Sequence, residues 1–355
     1  MISAADLARA MPKVELHCHL EGTMRPETLS DLAKKNKVDL GVASAEDLYA
    51  FKDFDEFFRL FRAVQSVLKT RDDWARVAYE SVLDAARANI VYREAFVSPA
   101  YFLAKGQEIR DILAGLSDGL AAGEKDTNAR TMLIGGIDRA FGPSAGIELA
   151  QTLVQLRTSN ASGAERLIGL GMDGVELGTK PADYHEAFRL AAAAGLHCTS
   201  HQGAEGPASN ITDALDILGC ERIDHGLAAL DDHALAHRAC DERIPFNVCP
   251  SSNLSVGRYK SLSEHPFHSM RKAGLLATLG SDDPAFTKID LADEYGIVAE
   301  AYGMSWQEIL QTALDAVEAT WLSDSEKKDL GGRIMKFASC VEPVFSHADG
   351  QCRHA

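Results

Sequence analysis

Val14-Glu15-Leu16-His17-Cys18-His19 opens the part of the chain that decides its fold: a short β-rich run that ends in two histidines. Seven further runs of this kind follow, at residues 90–97, 131–137, 167–177, 196–201, 222–225, 244–249 and 275–281. Stretches of helical composition lie between them, among them 145–156, 184–194, 211–218 and 232–240. Strand alternating with helix argues for parallel pairing. Eight such units predict an α/β fold, a (β/α)8 TIM-type barrel, in which chemistry sits at the C-terminal ends of the strands. Two stretches exceed an ideal barrel: residues 25–89, read as helices inserted after the first strand, and residues 290–355, read as C-terminal helices. No Pro/Gly/Ser linker separates independent cores, so residues 1–355 are expected to form a single barrel domain.

Composition narrows the function classes. With 46% apolar and 25% charged residues the chain matches an ordinary soluble globular protein, which excludes extensive disorder and fibrous repeats. A net charge of −16 repels phosphate backbones and anionic membrane surfaces, so neither nucleic acid nor membrane is an expected partner. No apolar run reaches the length of about 18 residues needed to span a bilayer. Residues 1–13 lack a continuous apolar stretch of the secretory type. The seven cysteines are odd in number and scattered, without CxxC pairs, as reduced thiols would be. A cytoplasmic location and a small-molecule substrate are expected, with the number of subunits left open.

The histidines carry the chemistry. His17 and His19 are two apart at a strand end, so period two turns both imidazoles to one face, which in a barrel is the interior. The fifth run ends in His201-Gln202-Gly203-Ala204-Glu205-Gly206-Pro207, the sixth in Asp224-His225-Gly226, and the eighth in Ser281-Asp282-Asp283-Pro284. Singly, each is equally a packed histidine, a βα turn or an Asx turn capping a helix. Jointly, His17, His19, His201 and Asp282 fall at the catalytic ends of strands one, five and eight, a set suited to one Zn2+ or similar divalent metal per chain with room for water. His225, from strand six, would lie near that water without being a ligand.

The whole pattern resembles the adenosine and adenine deaminases of the metal-dependent amidohydrolase superfamily. The resemblance runs from Met11-Pro12-Lys13 through Ser281-Asp282-Asp283-Pro284. It includes His17-Cys18-His19-Leu20-Glu21-Gly22, Arg25-Pro26-Glu27-Thr28-Leu29, Arg222-Ile223-Asp224-His225-Gly226 and Cys249-Pro250-Ser251-Ser252-Asn253-Leu254, in the family's order. It implies a zinc-dependent hydrolytic deaminase of a 6-aminopurine or related aminated heterocycle, releasing ammonia. It also implies zinc ligation by His17, His19, His201 and Asp282, and positioning of the attacking hydroxide by His225. Asp283 matches the carboxylate that hydrogen-bonds purine N7. Glu21 matches an acidic substrate-selecting position, where Glu is similar to the adenine deaminase branch. Asp173-Gly174-Val175-Glu176 looks like the segment lining the base, which makes Glu176 a substrate contact.

One departure falls at the reacting centre. The family reads His-Ala-Gly-Glu after strand five, and its Glu protonates purine N1; this chain reads His201-Gln202-Gly203-Ala204. Loss of a general acid/base typically costs about 10²- to 10⁴-fold in rate. Glu205 takes the role only if a turn at Gly203 or Gly206 brings it inward, because in extended backbone it faces away from residue 204. Three readings stand: Glu205 as the working acid, a different hydrolytic reaction on the same scaffold, or impaired catalysis by nature or design. A non-catalytic purine-binding member is the reading from another class. Glu176 with His225 as ligands would convert the site to two metals.

Overall fold

Eight strands form in the expected order: β1 (Lys13–Glu15), β2 (Ile90–Val97), β3 (Arg130–Asp138), β4 (Leu167–Asp173), β5 (His197–Gln202), β6 (Arg222–His225), β7 (Pro245–Val248) and β8 (Leu276–Leu279). In this computed structural model, which describes residues 3–348 with side chains through Val341, they make one sheet in sequence order with parallel neighbours. Helices pack around it, giving a nearly closed (β/α)8 TIM-type barrel. Cys352 and the last seven residues of the expected C-terminal segment lie outside the described residues.

Four strands are shorter than the sequence predicts, β7 and β8 by a residue or two at each end and β1 and β4 by more. β4 stops at Asp173 because Gly174 turns the chain at φ 86°, a left-handed conformation costly for any residue with a Cβ. β1 stops at Glu15, after which the chain holds its neighbours through isolated bridges, Cys18 to Asp282 and His19 to Phe96. The first of these bridges links the end of β8 to the stretch after β1. The Asp282 amide donates to the His17 carbonyl at 3.1 Å, and the His19 amide donates to the Asp282 carbonyl at 2.9 Å.

Below the rim, Glu15 braces the same seam. Its carboxylate accepts from Arg93 Nε on β2 at 2.6 Å and from the Ser281 hydroxyl after β8 at 2.6 Å. Both members of the ion pair are buried.

The insertion after β1 is helical as expected, with helices Pro26–Asn36, Phe54–Gln65 and Arg71–Arg87. Pro26 sits in a first helical turn, where its missing N–H costs nothing. Asp53 caps the second helix by accepting from Glu56 N, and Thr70 forms a capping box with Asp73 at the third. Phe57 and Phe61 pack against Phe286 beyond β8, with ring centroids 5.2 and 5.6 Å apart, which seats the second helix over the barrel mouth. Helices Leu291–Tyr302, Trp306–Glu318 and Asp324–Ala348 follow β8. No helix among the described residues is long and apolar enough to cross a membrane.

Removing one partner of a buried ion pair leaves the other charge uncompensated and typically costs about 3–5 kcal/mol. Glu15→Ala is therefore expected to lower stability by that order, read as a fall in the urea midpoint at unchanged slope. A midpoint within error of the parent would show that the seam does not depend on Glu15.

Candidate active site

The C-terminal rim gathers the predicted metal ligands. His17 and His19 come from the stretch after β1, His201 from β5 and Asp282 from the turn after β8, and all four are buried. His17 Nε2 lies 3.2 Å and His19 Nε2 3.4 Å from Asp282 Oδ1, and the Nε2 atoms of His19 and His201 are 3.2 Å apart. A tetrahedral ion with bonds of about 2.0–2.2 Å sets its donors about 3.3–3.6 Å apart, so these separations fit one metal. The donor chemistry agrees: three neutral imidazoles and one carboxylate suit Zn2+ or a similar divalent ion. His17 Nε2 is also a buried polar atom without a hydrogen-bond partner, which a ligand bond would satisfy.

The next shell orients these rings. Met172 O lies 3.0 Å from His201 Nδ1, so Nδ1 carries the proton and Nε2 turns its lone pair to the cluster. Asp224 Oδ1 sits 3.3 Å from His17 Nδ1 and is itself held by Asn247 at 2.9 Å and, through its other oxygen, by Thr199 at 2.7 Å. Ser252 donates to Asp282 Oδ2 at 2.7 Å. Asp282 and His225 adopt left-handed backbone at φ 62° and 66°, uncommon for residues with side chains and typical of functional sites. His225 stands beside the cluster, its ring centroid 4.6 Å from that of His17, with Nδ1 3.4 Å from Asn253. A second donor set, His17, His225, Cys249 and Asp282, shares two members with the first, so the two sets overlap in one place.

The cluster opens into a cavity of about 760 Å3, its mouth included. Phe54, Phe57, Phe58 and Phe61 of the inserted helix line it, mutually inclined aromatic rings that offer apolar contact to a planar ring. Asp283 lines the opposite depth with a buried, partnerless Oδ1, lying so close to Gly22 that a Cβ there would collide with it. Buried acids gather beside it. Burial, then Asp138, pushes Asp173 up to about 8 against a hydrogen bond from Ser98. Arg62 crosses from the inserted helix to pair with Asp138.

Two predicted substrate contacts, Glu21 and Glu176, are engaged by the protein's own groups. Glu21 is buried outside the cavity wall, accepting from Ser98 N at 2.9 Å, and burial raises it to about 7. Ser98 and Gln65 line the cavity instead. Glu176 reaches the wall, but its carboxylate is engaged by the loop after β5: it accepts from the amides of Gly203, Ala204, Glu205 and Gly206 at 2.9–3.0 Å and from Asn210 Nδ2 at 3.0 Å. Burial raises its pKa, yet these bonds outweigh burial and hold it below the ordinary carboxylate value. Glu176 is thus a fixed anion organising the loop, with no lone pair to spare for a second metal. Turned to suit its neighbours, the Gln202 amide joins this network, its nitrogen 3.1 Å from Glu176 and its oxygen 2.9 Å from Arg139.

Gly203 makes the turn that the sequence required, at φ 65°, so Ala204 and Glu205 both line the cavity. Glu205 accepts from the Glu176 amide at 3.1 Å and faces Arg258 at 3.4 Å. Sequence reasoning missed Arg62, Arg139 and Arg258 on the wall, as well as Asp224 behind His17. Asp224 lay within a quoted motif, and the aromatic wall was foreshadowed by four phenylalanines in residues 54–61. No local signal marked the arginines.

A parallel barrel carrying this donor set at its C-terminal rim belongs, as a class, to the metal-dependent hydrolases of the amidohydrolase type. The family model described as Adenosine deaminase matches residues 12–337, and the chain belongs to that family. An adenine deaminase of Streptomyces coelicolor is 35% identical over 327 residues, covering 91% of this chain and 94% of its own. The structure of an adenine deaminase from Arthrobacter aurescens aligns at TM-score 0.87 and 30% identity, covering 93% of this chain and 99% of that one. An amidohydrolase from Burkholderia ambifaria with bound Zn aligns at TM-score 0.87 and 28% identity, covering 96% of each.

His17→Ala is expected to abolish stoichiometric metal retention. Asp224→Asn should weaken retention by about 10- to 100-fold with all four ligands in place. Metal content by mass spectrometry after dialysis against graded chelator checks both. Full retention by the two variants would displace the site from this cluster.

Proposed function

We propose that this chain is a zinc-dependent hydrolytic deaminase of a 6-aminopurine or a closely related aminated heterocycle, with deamination of adenine itself weakened by Ala204. The observation that carries it is the convergence of His17, His19, His201 and Asp282 on one point at the floor of an aromatic-walled cavity. The Zn in the Burkholderia neighbour supports the choice of metal. When bound there, zinc supplies a hydroxide nucleophile at neutral pH by lowering the pKa of water to about 7.

The chain's own residues do the rest. The phenylalanine wall stacks the ring and excludes water, and Asp283 offers a hydrogen bond to a ring nitrogen. His225, oriented by Asn253, holds the nucleophile against the amine-bearing carbon and, after addition, passes the new hydroxyl's proton to the departing amine. Addition at that carbon requires a proton at the adjacent ring nitrogen before ammonia leaves, from a donor within about 2.6–3.2 Å, directly or through one water. The Ala204 methyl cannot supply it. Glu205 also lines the cavity, but its carboxylate accepts from the Glu176 amide at 3.1 Å and faces Arg258 at 3.4 Å, and the Glu176 clamp on four consecutive amides holds its backbone in place. Ala204 also favours a second reading, a family member that binds purines without turning them over.

Ammonia release from adenine, adenosine and pterins by the zinc-loaded protein tests the assignment. Adenine turnover is expected to be slow, and Ala204→Glu should raise kcat by at least about 100-fold. If Glu205→Gln abolishes a robust native activity while Ala204→Glu adds nothing, Glu205 is the working acid. Binding by both proteins without ammonia from any substrate would favour the non-catalytic reading. For Asp283→Ala, a raised KM and lowered kcat with bound zinc unchanged are expected; loss of zinc would make Asp283 a ligand.

A further inference from the structure

Arg258 is the one arginine of the cavity wall whose donors are largely unspent. Arg62 is occupied by Asp138 and by Gln65 at 2.8 Å, and Arg139 by the carbonyls of Gly174 and His201. Arg258 stacks on Phe54, 4.7 Å from the ring centroid, with its Nε buried and partnerless. Its charged contact is a single approach to Glu205 at 3.4 Å, where Arg243 and Glu318 pair through two bonds of 2.6 Å. A guanidinium carries five N–H donors in a planar fork that matches a carboxylate or phosphate. With Phe54 against it, Arg258 lines the same cavity as Ala204, Glu205 and Asn253.

Where the resemblance places a carboxylate, at residue 204, this chain has a methyl group, and the nearby cation stays loosely paired. Arg258 is thus left facing Glu205 alone among the described residues, and an anionic group on a ligand can occupy its remaining donors. We propose that Arg258 is an oxyanion-binding subsite, and that the ring entering this cavity carries an anionic substituent, carboxylate or phosphate, that reaches Arg258. The proposal rests on the aminated-heterocycle reading and specifies the substrate within it. The overall charge of −16 works against anions at long range, so preference for an anionic ring has to arise locally.

Calorimetric titration of the zinc-loaded full chain with adenine, N6-(carboxymethyl)adenine and adenosine 5′-monophosphate tests this, with ammonia release measured in parallel. At least one anionic ligand is expected to bind about 10- to 100-fold tighter than adenine, the range of a charge-assisted hydrogen bond. Which of the two gains tells carboxylate from phosphate. Arg258→Met should bring the affinity ratio close to one, and Arg258→Lys, which keeps the charge without the fork, should leave an intermediate ratio. Glu205→Gln should tighten the anionic ligand further by releasing Arg258. Equal affinities in the parent, or a ratio that Arg258→Met leaves unchanged, overturn the subsite while the deaminase reading stands. Arg258-dependent anion preference without ammonia from any ring upholds the subsite and overturns the deaminase reading. No binding of any of the three overturns both.

Discussion

Asp282 is both the last stitch of the barrel and a ligand of its candidate metal. Its amide bonds the carbonyl of His17 and its carbonyl takes the amide of His19, so the backbone bonds that join the end of β8 to the end of β1 also fix three of the four donors relative to one another. Much else follows from that seam. Asp282 is held left-handed within it, Ser252 sets its free oxygen, and Glu15 ties Ser281 and Arg93 beneath it. Only His201 arrives independently, on β5, and its orientation is borrowed from the carbonyl of Met172 on β4. Metal geometry here is a consequence of barrel closure, which explains how donors hundreds of residues apart converge without a dedicated loop.

A second fixed charge organises the opposite wall. Four consecutive backbone amides point inward around the Glu176 carboxylate, an arrangement that elsewhere cradles a bound anion. Here the anion is a side chain of the protein, and burial makes each of its bonds expensive to lose. The loop carrying Ala204 and Glu205 is therefore rigid. That rigidity separates a change of residue from a change of shape: the side chain at 204 can differ without loosening the wall that holds it.

The cavity between these two anchors is chemically lopsided. Aromatic rings of the inserted helix face a depth crowded with buried carboxyls, and arginines cross between them. Arg62 and Arg139 are consumed in holding the inserted helix and the strand ends together. On the remaining wall Arg258 faces Glu205 at 3.4 Å.

The barrel was legible in the chain because each β-rich run is short and bounded by helical composition, and β2 and β6 fall where the local pattern puts them. The first and fourth strands were overextended because hydrophobic pattern continues past the point where Gly174 turns or where bridging replaces a regular ladder. The clustering of His17, His19, His201 and Asp282 was legible for a related reason: period two on a strand fixes which residues share a face, and strand ends in a barrel share a rim. Glu21 and Glu176 were not, because a carboxylate beside a strand end reads alike whether it meets a substrate, a backbone amide or a buried serine. Local sequence determined this protein's architecture, its donor set and the absence of an acid at residue 204. Tertiary structure alone decided what each remaining charge faces, since the partners of Glu176, Asp224 and Arg258 come from other strands and loops, and pairing across such distances leaves no periodic trace in the chain.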